Sequence, residues 1–139
     1  MEILIADDSK MLRYMTIEAL HGLGYRQITE ANNVSEAKNL MLGTQFELII
    51  CDLHMPGESG LDFLRYIRAT PNFSKIPFIL LTTDGEKQNI VAAVQAGVQA
   101  YLIKPVQKAM LGQKLTELAK RYNFTPPNTV GPDGVFKQG

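Results

Sequence analysis

The 139-residue chain is short of several things. Its one cysteine, Cys51, cannot form a disulfide within the chain, and a lone thiol suits a cytoplasmic setting. It has no excess of either charge. Fourteen basic and fourteen acidic side chains sum to zero, which gives no support for nucleic-acid or anionic-membrane binding through bulk charge. No apolar stretch approaches the roughly 20 residues of a membrane span. The N-terminus shows no basic region followed by an apolar one, so no secretory signal is expected. No internal repeat is visible beyond an alternation of strand and helix patterns.

What is present is enough apolar material, 45% of residues, for the core of one ordinary domain. The pattern alternates strand and helix five times. Strands are expected over Glu2–Ala6, Gln27–Ala31, Leu48–Cys51, Phe78–Leu81 and Ala100–Ile103. Helices are expected over Lys10–His21, Val34–Leu42, Gly60–Arg68, Glu86–Ala96 and Lys108–Tyr122. In the first helix Leu12, Met15, Ala19 and Leu23 are read as the inward face, with Ser9 or Asp8 as its cap. In the last helix Leu111, Leu115, Leu118 and Tyr122 form the inward stripe. The second strand is polar enough for a sheet edge. Repeated βα units imply an α/β fold, a doubly wound parallel sheet with helices on both faces, and five units are too few for a barrel. From Thr125 the composition turns to Pro, Gly and Asn without a period. The expectation is a domain over 1–123 and a flexible tail over 124–139, with a linker to a further domain as the competing reading.

Four of the apolar runs end on residues suited to phosphoryl chemistry: Asp7-Asp8, Asp52, Thr82 and Lys104-Pro105. Open α/β sheets place their sites at strand carboxyl ends, so three carboxylates, a hydroxyl and an ammonium should converge on one edge. Three carboxylates that close repel, and a hard divalent cation such as Mg²⁺, held by oxygen ligands, would relieve them. Asp52 is then the candidate nucleophile, giving an acyl phosphate. Lys104 offers a compact positive charge to a phosphoryl oxygen, and Thr82 a hydroxyl donor. Taken singly these are ordinary features: a helix-capping acid pair, a turn aspartate, a surface lysine, a capping threonine. Cys51 reads as a buried core thiol, His21 as a surface residue, and His54 as an exposed loop residue.

Together, Asp7-Asp8, Asp52 within Asp52-Leu53-His54-Met55-Pro56-Gly57, Thr82 and Lys104-Pro105 resemble the response-regulator receiver family, over about Glu2–Tyr122. The stretch Gln88–Gly97 with Tyr101 is similar to the family's stand-alone chemotaxis members. The resemblance implies a flavodoxin-like strand order, 2-1-3-4-5. It implies phosphorylation of Asp52 by a histidine kinase, a phosphotransfer protein or a small donor such as acetyl phosphate. Asp8 and Asp52, Asp7 directly or through water, and the backbone carbonyl of His54 would hold Mg²⁺. Thr82 and Tyr101 would form the switch that changes the surface of the fourth helix, fifth strand and fifth helix toward a downstream protein target. His54, Thr83 and Asp84 stand where the family tunes access to the phosphoryl group. Thr83 departs from the small residue usual there. Such a protein is not an enzyme beyond its own phosphorylation and dephosphorylation, needs no direct nucleic-acid or membrane contact, and acts as a monomer or a phosphorylation-linked dimer. A receiver cut from a larger regulator is the alternative. An aspartyl-phosphate hydrolase is disfavoured, because His54 stands where its second aspartate belongs. A flavodoxin is disfavoured because Asp7-Asp8 would repel a phosphate.

Overall fold

A computed structural model describes residues 1–83, 87–122, 124, 126–127, 129–130 and 136–137. Asp84 and the expected helix start at Glu86 lie outside the described residues, as does much of the tail. Ten elements alternate in order: β1 Ile3–Ala6, α1 Lys10–Gly22, β2 Ile28–Ala31, α2 Val34–Gly43, β3 Leu48–Asp52, α3 Gly60–Ala69, β4 Phe78–Thr82, α4 Lys87–Gln95, β5 Ala100–Ile103 and α5 Lys108–Tyr122. The five strands form one sheet in the order β2-β1-β3-β4-β5, all neighbours parallel. The chain thus has the flavodoxin-like arrangement.

Uninterrupted apolar runs explain the central strands. Every residue of β1, β3 and β4 is buried, as strands covered on both faces must be. Alternate side chains serve opposite layers. Leu4, Ala6, Ile49, Cys51, Phe78 and Leu80 meet Ala37 and Met41 of α2 and Phe63, Leu64 and Ile67 of α3. Ile3, Ile5, Leu48, Ile50, Ile79 and Leu81 meet Ala19 and Leu20 of α1 and Leu111, Leu115 and Leu118 of α5. Among the described residues no helix is long and apolar enough to cross a membrane.

The caps are local. Ser9 accepts from Leu12 N at 3.2 Å, Asn33 from Glu36 N at 2.8 Å, and Ser59 and Asp62 form a reciprocal capping box. Arg68, near the end of α3, donates to the carbonyls of Gly97, Ser74 and Ile76 and so braces two loops, α3–β4 and α4–β5. Tyr25, between α1 and β2, is buried, and among the described residues its hydroxyl has no hydrogen-bond partner. Burial pushes that phenol from 10.0 up to about 12.

The inward face of α1 differs from the sequence reading. Arg13, Thr16, Ala19 and Leu20 are buried, whereas Met15 is exposed. The helix turns two polar side chains inward because Thr16 bonds back to Leu12 O at 3.2 Å and Arg13 finds buried partners at the end of β1. Strands β3 and β4 each run one residue further than their apolar runs, because the ladder continues through Leu53 N to Leu81 O and Lys104 N to Thr82 O, both at 2.7 Å. In the tail, Thr129–Val130 (β6) and Phe136–Lys137 (β7) pair antiparallel. Two-residue strands are too short to show a period in the sequence.

Candidate functional site

The parallel register aligns the carboxyl ends of the strands. Ala6 stands opposite Cys51, Asp52 opposite Leu81, and Thr82 opposite Ile103. Asp7 therefore emerges beside Asp52, and Lys104 beside Thr82. Asp7, Asp52, Thr82 and Lys104 are all buried, which is rare for such groups unless they are paired. The Lys104 ammonium makes that pairing. Its Nζ lies 3.0 Å from Asp52 Oδ2 and 3.2 Å from Asp7 Oδ2. The Lys104–Pro105 peptide is cis.

Asp8 completes the group from its exposed rim. One carboxylate oxygen from each of Asp7, Asp8 and Asp52 lies within 4.8 Å of the others. Asp7 Oδ1 also accepts from Ser9 N at 2.9 Å, which turns the chain from β1 into α1. His54 N approaches Asp52 Oδ1 at 3.4 Å, a long hydrogen bond. Close packing holds the loop after Asp52. A Cβ on Gly60 would sit 2.2 Å from the Asp52 carbonyl oxygen, so only glycine lets α3 start against the end of β3. Gly57 takes a φ of +82°, where glycine is also favoured.

Burial raises the Asp52 carboxyl above its ordinary value. Lys104 pulls it down, the Asp7 charge pushes it up again, and the net shift is upward. Burial alone would lower Lys104, but the two carboxylates hold its ammonium above the ordinary lysine range. The site is therefore short of positive charge even with its lysine in place. Three carboxylate oxygens within 4.8 Å of one another, one residue open to solvent, could hold a metal ion, and a hard cation such as Mg²⁺ takes carboxylate oxygens with its remaining positions left to water or a phosphoryl oxygen.

The structure thus gathers Asp7, Asp8, Asp52 and Lys104, with Thr82 buried at the end of the next strand. His54 and Thr83 are exposed beside the site. Tyr101 is 40% exposed on edge strand β5, with its side chain on the outer surface. It lines a groove of about 580 Å³ with Val94, Ile103, Met110 and Lys114, and Lys104 is among the lining residues. Sequence reasoning missed Arg13, whose guanidinium donates to the backbone oxygen of Asp7. The sequence carried no signal for it, because the apolar stripe Leu12, Met15, Ala19 and Leu23 is unbroken and leaves Arg13 on another face.

Comparison with known proteins agrees with this geometry. Residues 3–116 match the model of the response regulator receiver domain. The chain is 32% identical to the chemotaxis protein CheY of Pseudomonas aeruginosa over 123 residues, covering 88% of this chain and 99% of that protein. It is 36% identical to a chemotaxis CheY protein of Helicobacter pylori over 116 residues, covering 83% and 94%. Among solved structures, the receiver domain of a signal transduction histidine kinase from Syntrophus aciditrophicus superposes with a TM-score of 0.79 at 28% identity, covering 94% of this chain and 98% of that one.

Proposed function

This chain belongs to the response-regulator receiver family, and from that premise we propose that it accepts a phosphoryl group on Asp52 from a histidine kinase or a phosphotransfer protein. The observation that carries the reading is the Lys104 ammonium held between Asp52 and Asp7, with Asp8 close by at the solvent rim. In the proposed step a carboxylate oxygen of Asp52 attacks phosphorus. An O–P bond forms as the P–N bond of the donor phosphohistidine breaks, and the imidazole leaves. Such a transfer depends on positioning and charge neutralisation more than on covalent help from the protein.

Lys104 would balance charge on one phosphoryl oxygen, and Thr82 would donate its hydroxyl to another. Asp7, Asp8, Asp52 and the backbone carbonyl of His54 would hold Mg²⁺, which when bound supplies charge neutralisation to the phosphoryl oxygens. Attack of water on the acyl phosphate returns Asp52 and inorganic phosphate. His54, Thr83 and Asp84 would tune that access. The protein turns over no other substrate and is not an enzyme in that sense.

The output is a population shift. Contacts of Thr82 and Lys104 made only with the phosphoryl group would draw Tyr101 inward and reshape the surface of α4, β5 and α5 for a downstream protein. The similarity to chemotaxis proteins favours that pathway, a cytoplasmic location, and a monomer or a phosphorylation-linked dimer, with 1–123 as the receiver and 124–139 as a tail. A receiver within a larger regulator is the second reading, favoured by the likeness to a receiver of a histidine kinase.

The test is intact-mass measurement after incubation with acetyl phosphate and Mg²⁺. One phosphoryl group should appear on the wild type, and none with EDTA or on Asp52→Ala. Undiminished labelling of Asp52→Ala would refute the assignment.

A further inference from the structure

Arg13 is buried on α1, with its side chain 8% exposed. Its Nη1 donates to the backbone oxygen of Asp7 at 2.5 Å, and its Nε to Glu30 Oε1 of β2 at 2.6 Å. That backbone oxygen belongs to the peptide joining Asp7 to Asp8. Fixing the plane of this peptide fixes ψ of the first aspartate and φ of the second, and so the direction in which the Asp8 side chain leaves the chain. Among the described residues no hydrogen bond or ion pair reaches the Asp8 carboxylate. Its place depends on where the backbone directs its Cβ and on its own rotamer. The peptides on either side are also held: Asp7 N donates to Ala31 O at 3.1 Å, and Ser9 N donates to Asp7 Oδ1 at 2.9 Å.

We propose that Arg13, anchored by Glu30, is a positioning residue for the cation site: it clamps the Asp7–Asp8 peptide so that the Asp8 carboxylate faces Asp7 and Asp52. The proposal rests on the reading of these acids as a divalent-cation site. Two physical effects of the guanidinium oppose each other. As a nearby positive charge it weakens cation binding, and its removal would tighten it. As a clamp it strengthens binding, and its removal would loosen it. The sign of the change therefore separates the two. The substitution Arg13→Lys keeps the charge but gives up the planar fork that spans a carbonyl and a carboxylate at once.

The experiment is Mn²⁺ titration of the metal-free full chain followed by electron paramagnetic resonance, on wild type, Arg13→Lys, Arg13→Ala, Glu30→Ala and Asp8→Ala. Folding is matched by circular dichroism at a temperature well below unfolding. Arg13→Lys should weaken Mn²⁺ binding by about tenfold, as loss of an outer-shell partner does at metal sites. Arg13→Ala should weaken it at least as much, and Glu30→Ala, which frees one end of the clamp, by less. If Arg13→Ala does not fold, Arg13→Lys decides. Wild-type affinity in Arg13→Lys, or tighter binding in folded Arg13→Ala, overturns the proposal while Asp8→Ala still loses Mn²⁺. Wild-type affinity in Asp8→Ala overturns the cation-site reading itself, and the proposal with it.

Discussion

Replacing Lys104 by methionine keeps most of its volume and removes its charge. Two buried carboxylates, Asp7 and Asp52, would then face each other without the ammonium that lies 3.2 and 3.0 Å from them. Truncating one partner of a buried ion pair destabilises by about 3–5 kcal/mol. A second route gives the same size. The chain can relieve the repulsion by protonating Asp52. For a carboxyl of ordinary pKa 3.8 this takes about 4 kcal/mol near neutral pH, at about 1.4 kcal/mol per pH unit. That ceiling is a large part of the roughly 5–15 kcal/mol typical of a domain. Urea unfolding of the metal-free protein, followed by far-ultraviolet circular dichroism because the chain has no tryptophan, should therefore show a large loss in Lys104→Met near neutral pH. The loss should shrink near pH 4, where a carboxyl is already about half protonated. Excess Mg²⁺ should also narrow the gap, since a site without the competing ammonium binds a cation more tightly than wild type and gains more stability from it. Equal unfolding midpoints for Lys104→Met and wild type, without metal and near neutral pH, would refute the coupling of these three charges.

Asp52→Asn should stabilise the metal-free protein. The folded state holds the Asp52 proton more tightly than the unfolded chain does, so the contribution of this carboxyl to folding is full below 3.8 and is lost as pH rises through its raised value. A higher Tm near neutral pH by calorimetry is expected; a lower Tm would contradict it. Gly60→Ala should destabilise by about 2 kcal/mol in urea, because its Cβ meets the backbone of Asp52 and Leu53, which cannot swing aside as a flexible side chain would. Tyr25→Phe removes a buried hydroxyl without a partner among the described residues and should leave stability equal or about 1 kcal/mol higher. The raised phenol favours folding below 10.0, and that contribution is lost as pH rises toward about 12, so the substituted protein should lose less stability over this interval.

The parallel sheet and the gathering of Asp7, Asp8, Asp52 and Lys104 could be read from the sequence because both depend on one simple pattern, whereas the order of the strands came through family resemblance. Apolar runs become buried parallel strands, and whatever follows each run arrives at the same edge. The reading failed where a polar residue behaves as an apolar one. Arg13 looks like a solvent-facing helical residue, and its burial depends on a carbonyl and a carboxylate supplied by two other elements. The choice of Asn33 as the cap of α2 and the need for glycine at Gly60 depend equally on backbone placement that no periodicity records. The reading of Tyr101 as a switch residue came only through family resemblance, since its spacing on an edge strand fits plain packing as well.

Cys51 lies sealed in the middle layer, with its Sγ turned to the backbone oxygen of Asp52 at 3.3 Å. Burial, then the neighbouring Asp52 and Asp7 charges, push its thiol well above the ordinary range. Alkylating and thiol-exchange reagents need an accessible thiolate, so they should pass over the native protein. A pair of cysteines introduced on the outer surface would then be the only attachment points for spin labels or dyes. Distances across α4 and β5 become measurable without first mutating the native sulfur.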